Sequence, residues 1–266
     1  MPKKTKLPIA LTIAGSDSGG GAGMQADLKT FAALGVYGTS AVTCITAQNP
    51  ERIVGIQGCE SSVLGAQMAA VFAELPPRAV KTGMMYSAEN IRQAAFFLRR
   101  CKKLPLIVDP VMVSTSGTPL LEPEAFECLK DELLPLATLI TPNLDEARAL
   151  CGCPINEPED LRTAARLLRQ QFRCAVLVKG GHLSGAKNAM DIFYDGTTEL
   201  LLSAPFVRGV HTHGTGCTYS AAITAYCARG CDLPEAVTKA KEYITQAIAR
   251  SRRAAGHDVL NHFWKG

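Results

Sequence analysis

The sequence has no marked excess of charge of either sign. Its 28 lysines and arginines stand against 24 aspartates and glutamates, a formal net charge of +4 spread along 266 residues. That is too weak and too diffuse for a nucleic-acid footprint. A hydrophobic run of membrane-spanning length is also missing. Leu7 to Ala14, behind the basic residues Lys3, Lys4 and Lys6, is too short for one and leads into what reads as a core strand, so neither targeting signal nor membrane partner is expected. Repeats, low-complexity tracts and Pro/Gly/Ser-rich linkers are lacking too. Their absence argues for one domain over residues 1–266, and the 47% hydrophobic content fills a substantial core. Cysteine is not scarce: the chain has ten. Without a secretory signal they read as reduced thiols of a cytoplasmic protein. Neither the Cys151/Cys153 pair nor the Cys227/Cys231 pair has a second pair or histidines at zinc spacing, so both read as ordinary thiols.

What is present is an alternation of short apolar runs with stretches of helical period. Ile9–Ala14, Ser40–Thr46, Ala79–Lys81, Leu106–Asp109, Thr138–Thr141 and Ala175–Lys179 are mostly continuous and apolar, as strands buried on both faces should be. Between them, Met24, Leu28, Phe31 and Leu34 form one helical stripe, and Leu64, Met68, Val71, Phe72 and Leu75 another. This pattern predicts an α/β three-layer sandwich, a mostly parallel central sheet with helices on both faces. Met190–Tyr194 and Glu199–Leu202, joined by Asp195-Gly196, predict a late hairpin adding antiparallel strands on one side. Helices are expected from Gly216 to Arg229 and from Pro234 to about Ala254, with Arg250, Arg252 and Arg253 favourably placed on the last helix's dipole.

Ligands of such sheets gather at the carboxyl ends of the strands. After the first strand comes GSDSGGGAGMQAD, Gly15 to Asp27. Three consecutive glycines are costly to order unless a backbone or ligand must come close, so ligand contact is expected here, with Asp17 counted on the substrate side. Gly21-Ala22-Gly23 also matches the loose dinucleotide fingerprint, but Gly15-Ser16-Asp17-Ser18 intervenes and the second strand ends without an acid, which disfavours NAD. Gln48 closes that second strand. Its amide pairs an acceptor with a donor, suited to a ring nitrogen beside an exocyclic amine, although a solvated glutamine is the commoner occupant of such a place. Asp109, Asn143 and Glu146 end or follow the next buried strands. Together they could hold hydrated Mg²⁺; Asn143 and Glu146 alone could equally be a capping box. Lys179, ahead of Gly180-Gly181, suits a nucleotide's phosphates. Finally, Gly214-Thr215-Gly216 precedes a run of alanines and places backbone N–H groups at a helix N-terminus, where a transferring phosphoryl group is stabilised. Cys217 sits in that first turn, where the helix terminus should bring its pKa from about 8.5 toward neutrality and make it a base for an attacking alcohol.

The motifs AGSDSGGGAGMQADLKTF, TAQN, VKTGMM, VDPVM, TPNLDEA, VLVKGGH and THGTGCTYSAA stand in the order and spacing of a known family. From about Ile9 to Phe263 the chain resembles the ribokinase-like superfamily, and within it the hydroxymethylpyrimidine/phosphomethylpyrimidine kinases of thiamine biosynthesis. The resemblance implies transfer of the γ-phosphate of Mg-ATP to 4-amino-5-hydroxymethyl-2-methylpyrimidine and then to its monophosphate, by a homodimer. It also implies that Gln48 binds the pyrimidine among Gly15, Ala22, Met84 and Val111, and that Cys217 stands where sugar kinases have an aspartate base. Asn143, Glu146, Lys179 and the Thr215-Gly216 turn fall on the ATP and metal side. Pyridoxal kinases share the glycine loop and the cysteine, but pyridoxal offers no amine beside a ring nitrogen for Gln48 to read. A non-catalytic pyrimidine or nucleotide sensor is the remaining alternative, one free to lose Glu146, Lys179 or Cys217. The tail Gly256-His257-Asp258-Val259-Leu260-Asn261-His262-Phe263 departs from the Gly-His-Gly-Pro-Leu-Asn-His-Phe of many relatives.

Overall fold

The computed structural model describes residues 6–101, 103–114, 117–181, 183, 187–207, 209–210 and 213–264. Lys3, Lys4, His182, His211 and Thr212 of the sequence motifs lie outside the described residues. In chain order the elements are β1 (Ile9–Asp17), α1 (Gly23–Ala33), β2 (Tyr37–Gln48), β3 (Ile53–Gly58), α2 (Ser61–Glu74), β4 (Ala79–Thr82), α3 (Ala88–Leu98), β5 (Leu106–Val108) and α4 (Pro123–Cys128). Then follow β6 (Leu139–Ile140), α5 (Leu144–Cys151), α6 (Pro158–Phe172), β7 (Ala175–Gly180), β8 (Asn188–Tyr194), β9 (Glu199–Pro205), α7 (Thr215–Ala228), α8 (Leu233–Ala249), β10 (Arg252–Ala254) and β11 (His257–Val259).

The main sheet runs β3-β2-β1-β4-β5-β6-β7-β8-β9. Its interior, β2 to β7 in that order, is parallel, and a parallel interior needs cover on both faces. The two-residue period supplies it. Leu11, Ile13, Val80, Val108, Ile140, Val176 and Val178 point to one face, where Leu64, Met68, Ile91, Leu161 and Leu168 of α2, α3 and α6 meet them. Ala10, Ala79, Ile107, Leu139 and Leu177 point to the other, against Phe31, Ile223, Val237 and Tyr243 of α1, α7 and α8. The expected three-layer sandwich is the fold. Among the described residues no helix is long and apolar enough to cross a membrane.

Two expectations need correction. Antiparallel strands flank the sheet on both sides: the hairpin β8–β9 lies beside β7, and β3 pairs antiparallel with β2 at the other edge. The β3 edge is solvated, with Val54 71% exposed, so it lacks the continuous apolar run that marks the inner strands. The last helix stops at Ala249, not Ala254. Arg252–Ala254 instead pairs with His257–Val259 around Ala255, whose φ is 53°. Arg252 and Arg253 therefore belong to a ribbon, and Arg250 donates to the carbonyl of Trp264.

That ribbon accounts for the divergent tail: it turns the chain back so that Leu260 and His262 are buried against the helical layer. Tyr243 Oη donates to the His262 carbonyl at 2.6 Å, and His262 Nε2 lies 3.1 Å from Thr218 Oγ1 in the first turns of α7. Burial pushes the imidazole pKa down to about 4. The unfolded chain thus binds this proton near pH 6.5 and the folded chain only near 4, so stability is present above pH 6.5 and is lost as pH falls toward 4. The loss should reach about 3 kcal/mol. Urea unfolding of the protein and of His262→Asn at pH 4.5 and 7.5 should show it as a change of that size in the difference between the two proteins. The opposing contribution of Glu146, whose pKa burial raises to about 7, is common to both and cancels.

Candidate active site

The site forms where β1, β2, β5, β6 and β7 end and α1, α5 and α7 begin. At its first wall, β1 must pass between Cys44 and Met84. A Cβ on Gly15 would sit 2.7 Å from Cys44 Sγ and 3.2 Å from Met84 Sδ, so only glycine fits. The following loop is shaped by Asp17, whose Oδ1 accepts from Gly19 N (2.8 Å) and whose Oδ2 accepts from Gly21 N (3.0 Å) and Ala22 N (2.8 Å). Burial opposes its charge, but bonds from His213, Ala22 and Gly19 hold its pKa below the usual value. Asp17 is therefore the post around which the glycine loop is wound, and both of its oxygens face the protein. Sequence reasoning placed it on the substrate instead, because a loop's internal amides leave no signature in composition.

Gln48 ends β2 beside the same loop, its N–H donating to Ser18 Oγ at 2.8 Å. Thr46 Oγ1 donates to Gln48 Oε1 at 3.2 Å, and Gln48 Nε2 lies 3.4 Å from His213 Nε2, which in turn lies 3.4 Å from Asp17 Oδ2. His213 was missed, although it stands directly before the Gly214-Thr215-Gly216 turn. Met84 and Val111 belong to one small apolar cluster with Cys44 and Leu120, joined by Ile53 and Ile56 of β3 and by Tyr86. The edge strand absent from the sequence reading thus supplies part of the pocket wall.

The second half is charged. Lys179 leaves β7 with Nζ 2.8 Å from Asp109 Oδ1. Thr141 Oγ1 donates to that same oxygen at 3.0 Å, and Ser220 Oγ donates to Oδ2 at 3.2 Å. Burial pushes the Asp109 pKa up, but Lys179 and then Lys81 outweigh it, and the carboxyl stays below its ordinary value. The first turn of α7 closes on this pair, since a Cβ on Gly216 would lie 3.3 Å from Lys179 Nζ. Gly214, the N-cap of α7 at φ 82°, rests on the carbonyl of Gly21. The two glycine-rich segments therefore share one seam, with Thr215, Gly216 and Cys217 directly behind it.

Asn143 and Glu146 form the capping box. Asn143 Oδ1 accepts from Glu146 N at 2.9 Å, and Glu146 Oε2 accepts from Asn143 N at 2.8 Å. Glu146 is buried, which pushes its pKa up to about 7; Lys179 opposes the shift and Asp109 adds to it. Among the described residues no cluster of three or more His, Cys, Asp or Glu side chains could cage a metal. Two carboxylates around one ammonium do fit Mg²⁺ that keeps its waters and travels on nucleotide phosphates.

Cys217 corrects a sequence expectation. Burial pushes its thiol up to about 11, against the opposing Lys81 ammonium and a hydrogen bond from Gly23 N–H. The helix terminus does not prevail, because withdrawing the thiolate from water outweighs partial charges. The Lys81 ammonium that opposes this shift belongs to a pair that the sequence reading passed over. Lys81 of β4 and Asp27 of α1 are 2.8 Å apart and both 0% exposed, and Thr12 Oγ1 donates to the same Asp27 oxygen at 2.6 Å. A lone lysine inside the fully buried strand Ala79–Thr82 was the available signal.

Comparison with known proteins adds the family. The family model described as phosphomethylpyrimidine kinase matches residues 17–261. A hydroxymethylpyrimidine/phosphomethylpyrimidine kinase of Rhizobium meliloti is 50% identical over 265 residues, covering 97% of this chain and 98% of that protein. The phosphomethylpyrimidine kinase structure from Clostridium difficile superposes with a TM-score of 0.81 at 44% identity, covering 91% of this chain and 100% of the other. The ADP complex of Bacillus subtilis pyridoxal kinase superposes with a TM-score of 0.87 at 37% identity, covering 97% and 98%. The chain belongs to the phosphomethylpyrimidine kinase family, and it is a kinase.

Proposed function

We propose that the protein phosphorylates 4-amino-5-hydroxymethyl-2-methylpyrimidine from ATP and then phosphorylates the monophosphate to the diphosphate, in thiamine biosynthesis. The observation that carries this reading is that Gln48, the strand partner of Ile53 in the Met84–Val111 apolar cluster, also lies 3.4 Å by its amide from His213, the residue before the Gly214 seam and the helix N-terminus behind it. A flat aminopyrimidine suits the cluster, with its ring nitrogen and amine on Gln48 and its hydroxymethyl group toward Cys217. Gly15 and Ala22 line this half by backbone alone. The amides of Thr215 and Gly216 receive the γ-phosphoryl group, and Lys179 offsets its charge. Cys217 takes the hydroxyl proton in the first transfer. Mg²⁺, when bound, neutralises charge on the phosphates, and Asp109, Glu146 and the Asn143 turn are the residues that would hold it. We further infer one kinase domain acting as a cytoplasmic homodimer on small molecules alone. Sedimentation velocity tests the oligomeric state.

Glu146→Gln separates the cap from the metal. Its amide oxygen can still accept from Asn143 N–H, so the thermal midpoint at pH 6 should change little. The Mg²⁺ concentration for half-maximal rate should rise about 10-fold or more. An unchanged requirement would leave Glu146 as a cap only.

The second reading is a pyridoxal kinase, favoured by the close superposition on the Bacillus subtilis enzyme of that name. ATP consumption with hydroxymethylpyrimidine or pyridoxal as acceptor, with the products resolved, decides between them. Pyrimidine diphosphate supports the proposal, whereas phosphorylated pyridoxal alone overturns the assignment of Gln48.

A further inference from the structure

Lys81 stands in the middle of a strand buried on both faces, where a branched aliphatic residue would pack and need no partner. Its ammonium is instead matched by Asp27, Thr12 is bonded to the same carboxylate oxygen, and all three are 0% exposed. A buried pair of this kind is weak evidence for stability, because desolvating two charges offsets most of their attraction. Its location is more informative. Asp27 lies in α1, and Lys81 of β4 points, like Ala79 two residues before it, to the face that α1 and α7 cover; α7 packs on both elements, and its N-cap Gly214 rests on the Gly21 carbonyl just before α1. The pair is also off balance. Asp27 Oδ2 takes both hydrogen bonds, while Oδ1, equally buried, has no hydrogen-bond partner among the described residues.

We propose that Lys81, held in place by Asp27, is a positioning residue that supplies the counter-charge for the Cys217 thiolate. This rests on Cys217 being the acceptor of the hydroxyl proton. The groups around that sulfur are Lys81 from β4, Lys179 from β7, Asp27 from α1 and Asp109 after β5. Lys179 is bonded to Asp109 and faces the phosphates, so its charge is drawn toward the nucleotide when ATP enters. Lys81 is 0% exposed and bonded to Asp27 at 2.8 Å, so it stays out of reach of the nucleotide. Its charge is therefore constant through the cycle. Burial opposes the charged form of Lys81, yet Asp27 and then Cys217 and Asp109 keep its pKa raised, so the ammonium persists at any working pH. As the thiolate takes the proton from the substrate hydroxyl, its own charge disappears and Lys81 returns to serving Asp27 alone.

The test uses full-length protein carrying Lys81→Met with Asp27→Leu, which removes both charges without leaving either unpaired. The change is made in the Cys217 protein and in Cys217→Ala. In the Cys217 protein, kcat for the first transfer at pH 8 should fall about tenfold, the equivalent of one pKa unit. KM values should stay within about twofold and the second transfer should be unchanged. Alkylation of Cys217 by iodoacetamide, followed by mass spectrometry of its peptide, should move to higher pH. In Cys217→Ala the double change should cost nothing further. Equal loss in both transfers, or a loss that persists in Cys217→Ala, would show a structural role and overturn the proposal. If the double variant does not fold, Asp27→Asn serves instead: it leaves Lys81 less neutralised and should shift the alkylation profile to lower pH, and no shift or an upward one overturns the proposal. Full first-transfer activity in Cys217→Ala alone would sink the assignment of the base. Loss there with no effect of the pair removes only Lys81.

Discussion

Cys217→Ala should lower kcat for the first phosphoryl transfer by about 10²- to 10⁴-fold, the usual contribution of a positioned base, and change the second transfer by no more than a few-fold. The two steps differ in their nucleophile. An alcohol must lose a proton as it attacks, whereas a monophosphate with a second pKa near 6 is already an anion and needs only alignment. The pH dependence sharpens the expectation. With the thiol pushed up to about 11, the resting side chain is a neutral thiol near pH 7, and only the small thiolate fraction can accept a proton. The first transfer should therefore accelerate about tenfold per pH unit from pH 7 toward pH 10 wherever proton removal limits it, while the second stays nearly flat. Steady-state rates with each acceptor between pH 6.5 and 10 check both points. A first step that saturates near pH 7, or equal losses in both steps, would remove Cys217 as the base.

The same residue shows where sequence reasoning stops. That Cys217 begins a helix behind two glycines was legible, because glycine spacing and the alanine run are local. Its pKa was not, because burial depends on how α7 is seated against β1 and β4, and the main opposing charge comes from Lys81, more than 100 positions away in the chain. The inner strands were legible for the reason β3 was not: Ile107 or Val176 sits in a run apolar on both faces, whereas Val54 faces solvent. Asn143 and Glu146 are a third kind of case. Their three-residue spacing is required equally by a capping box and by a shared ligand face, and the two side chains form the cap. Gly15, Gln48, Met84 and Val111 were placed together through motif resemblance; the fold sets Gly15 against Met84, and Met84 and Val111 into one apolar cluster with Ile53, the strand partner of Gln48. Asp17 follows Gly15 closely but turns inward, a distinction that only hydrogen-bond geometry supplies.

Gly214→Ala should be the second severe variant, and its effect can be separated from ordinary strain. At φ 82° an alanine is disfavoured by about 1–2 kcal/mol whatever surrounds it. Here the added Cβ would also overlap the carbonyl oxygen of Gly21 and press on Ala22 Cα at 3.4 Å. Both neighbours are backbone, held in turn by the N–H bonds of Gly21 and Ala22 to Asp17, so neither can rotate aside as a side chain would. The seam must open, carrying the amides of Thr215, Gly216 and Cys217 away from the position proposed for the γ-phosphoryl group. A displacement of about 1 Å at such a site lowers rate by roughly 100-fold. Gly35→Ala is the matched control: Gly35 has φ 71° and nothing within 4 Å of the added carbon, so it carries the conformational cost alone. Both variants should lose a few degrees in thermal midpoint, because about 1 kcal/mol shifts a chain of this size by roughly 2–4 °C. Only Gly214→Ala should lose kcat, and it should lose it in both transfers, because the phosphate seat serves each step. Retention of full rate in Gly214→Ala, with the same thermal loss as Gly35→Ala, would mean that the Gly21–Gly214 contact neither sets the geometry of transfer nor adds stability beyond the conformational cost of the substitution.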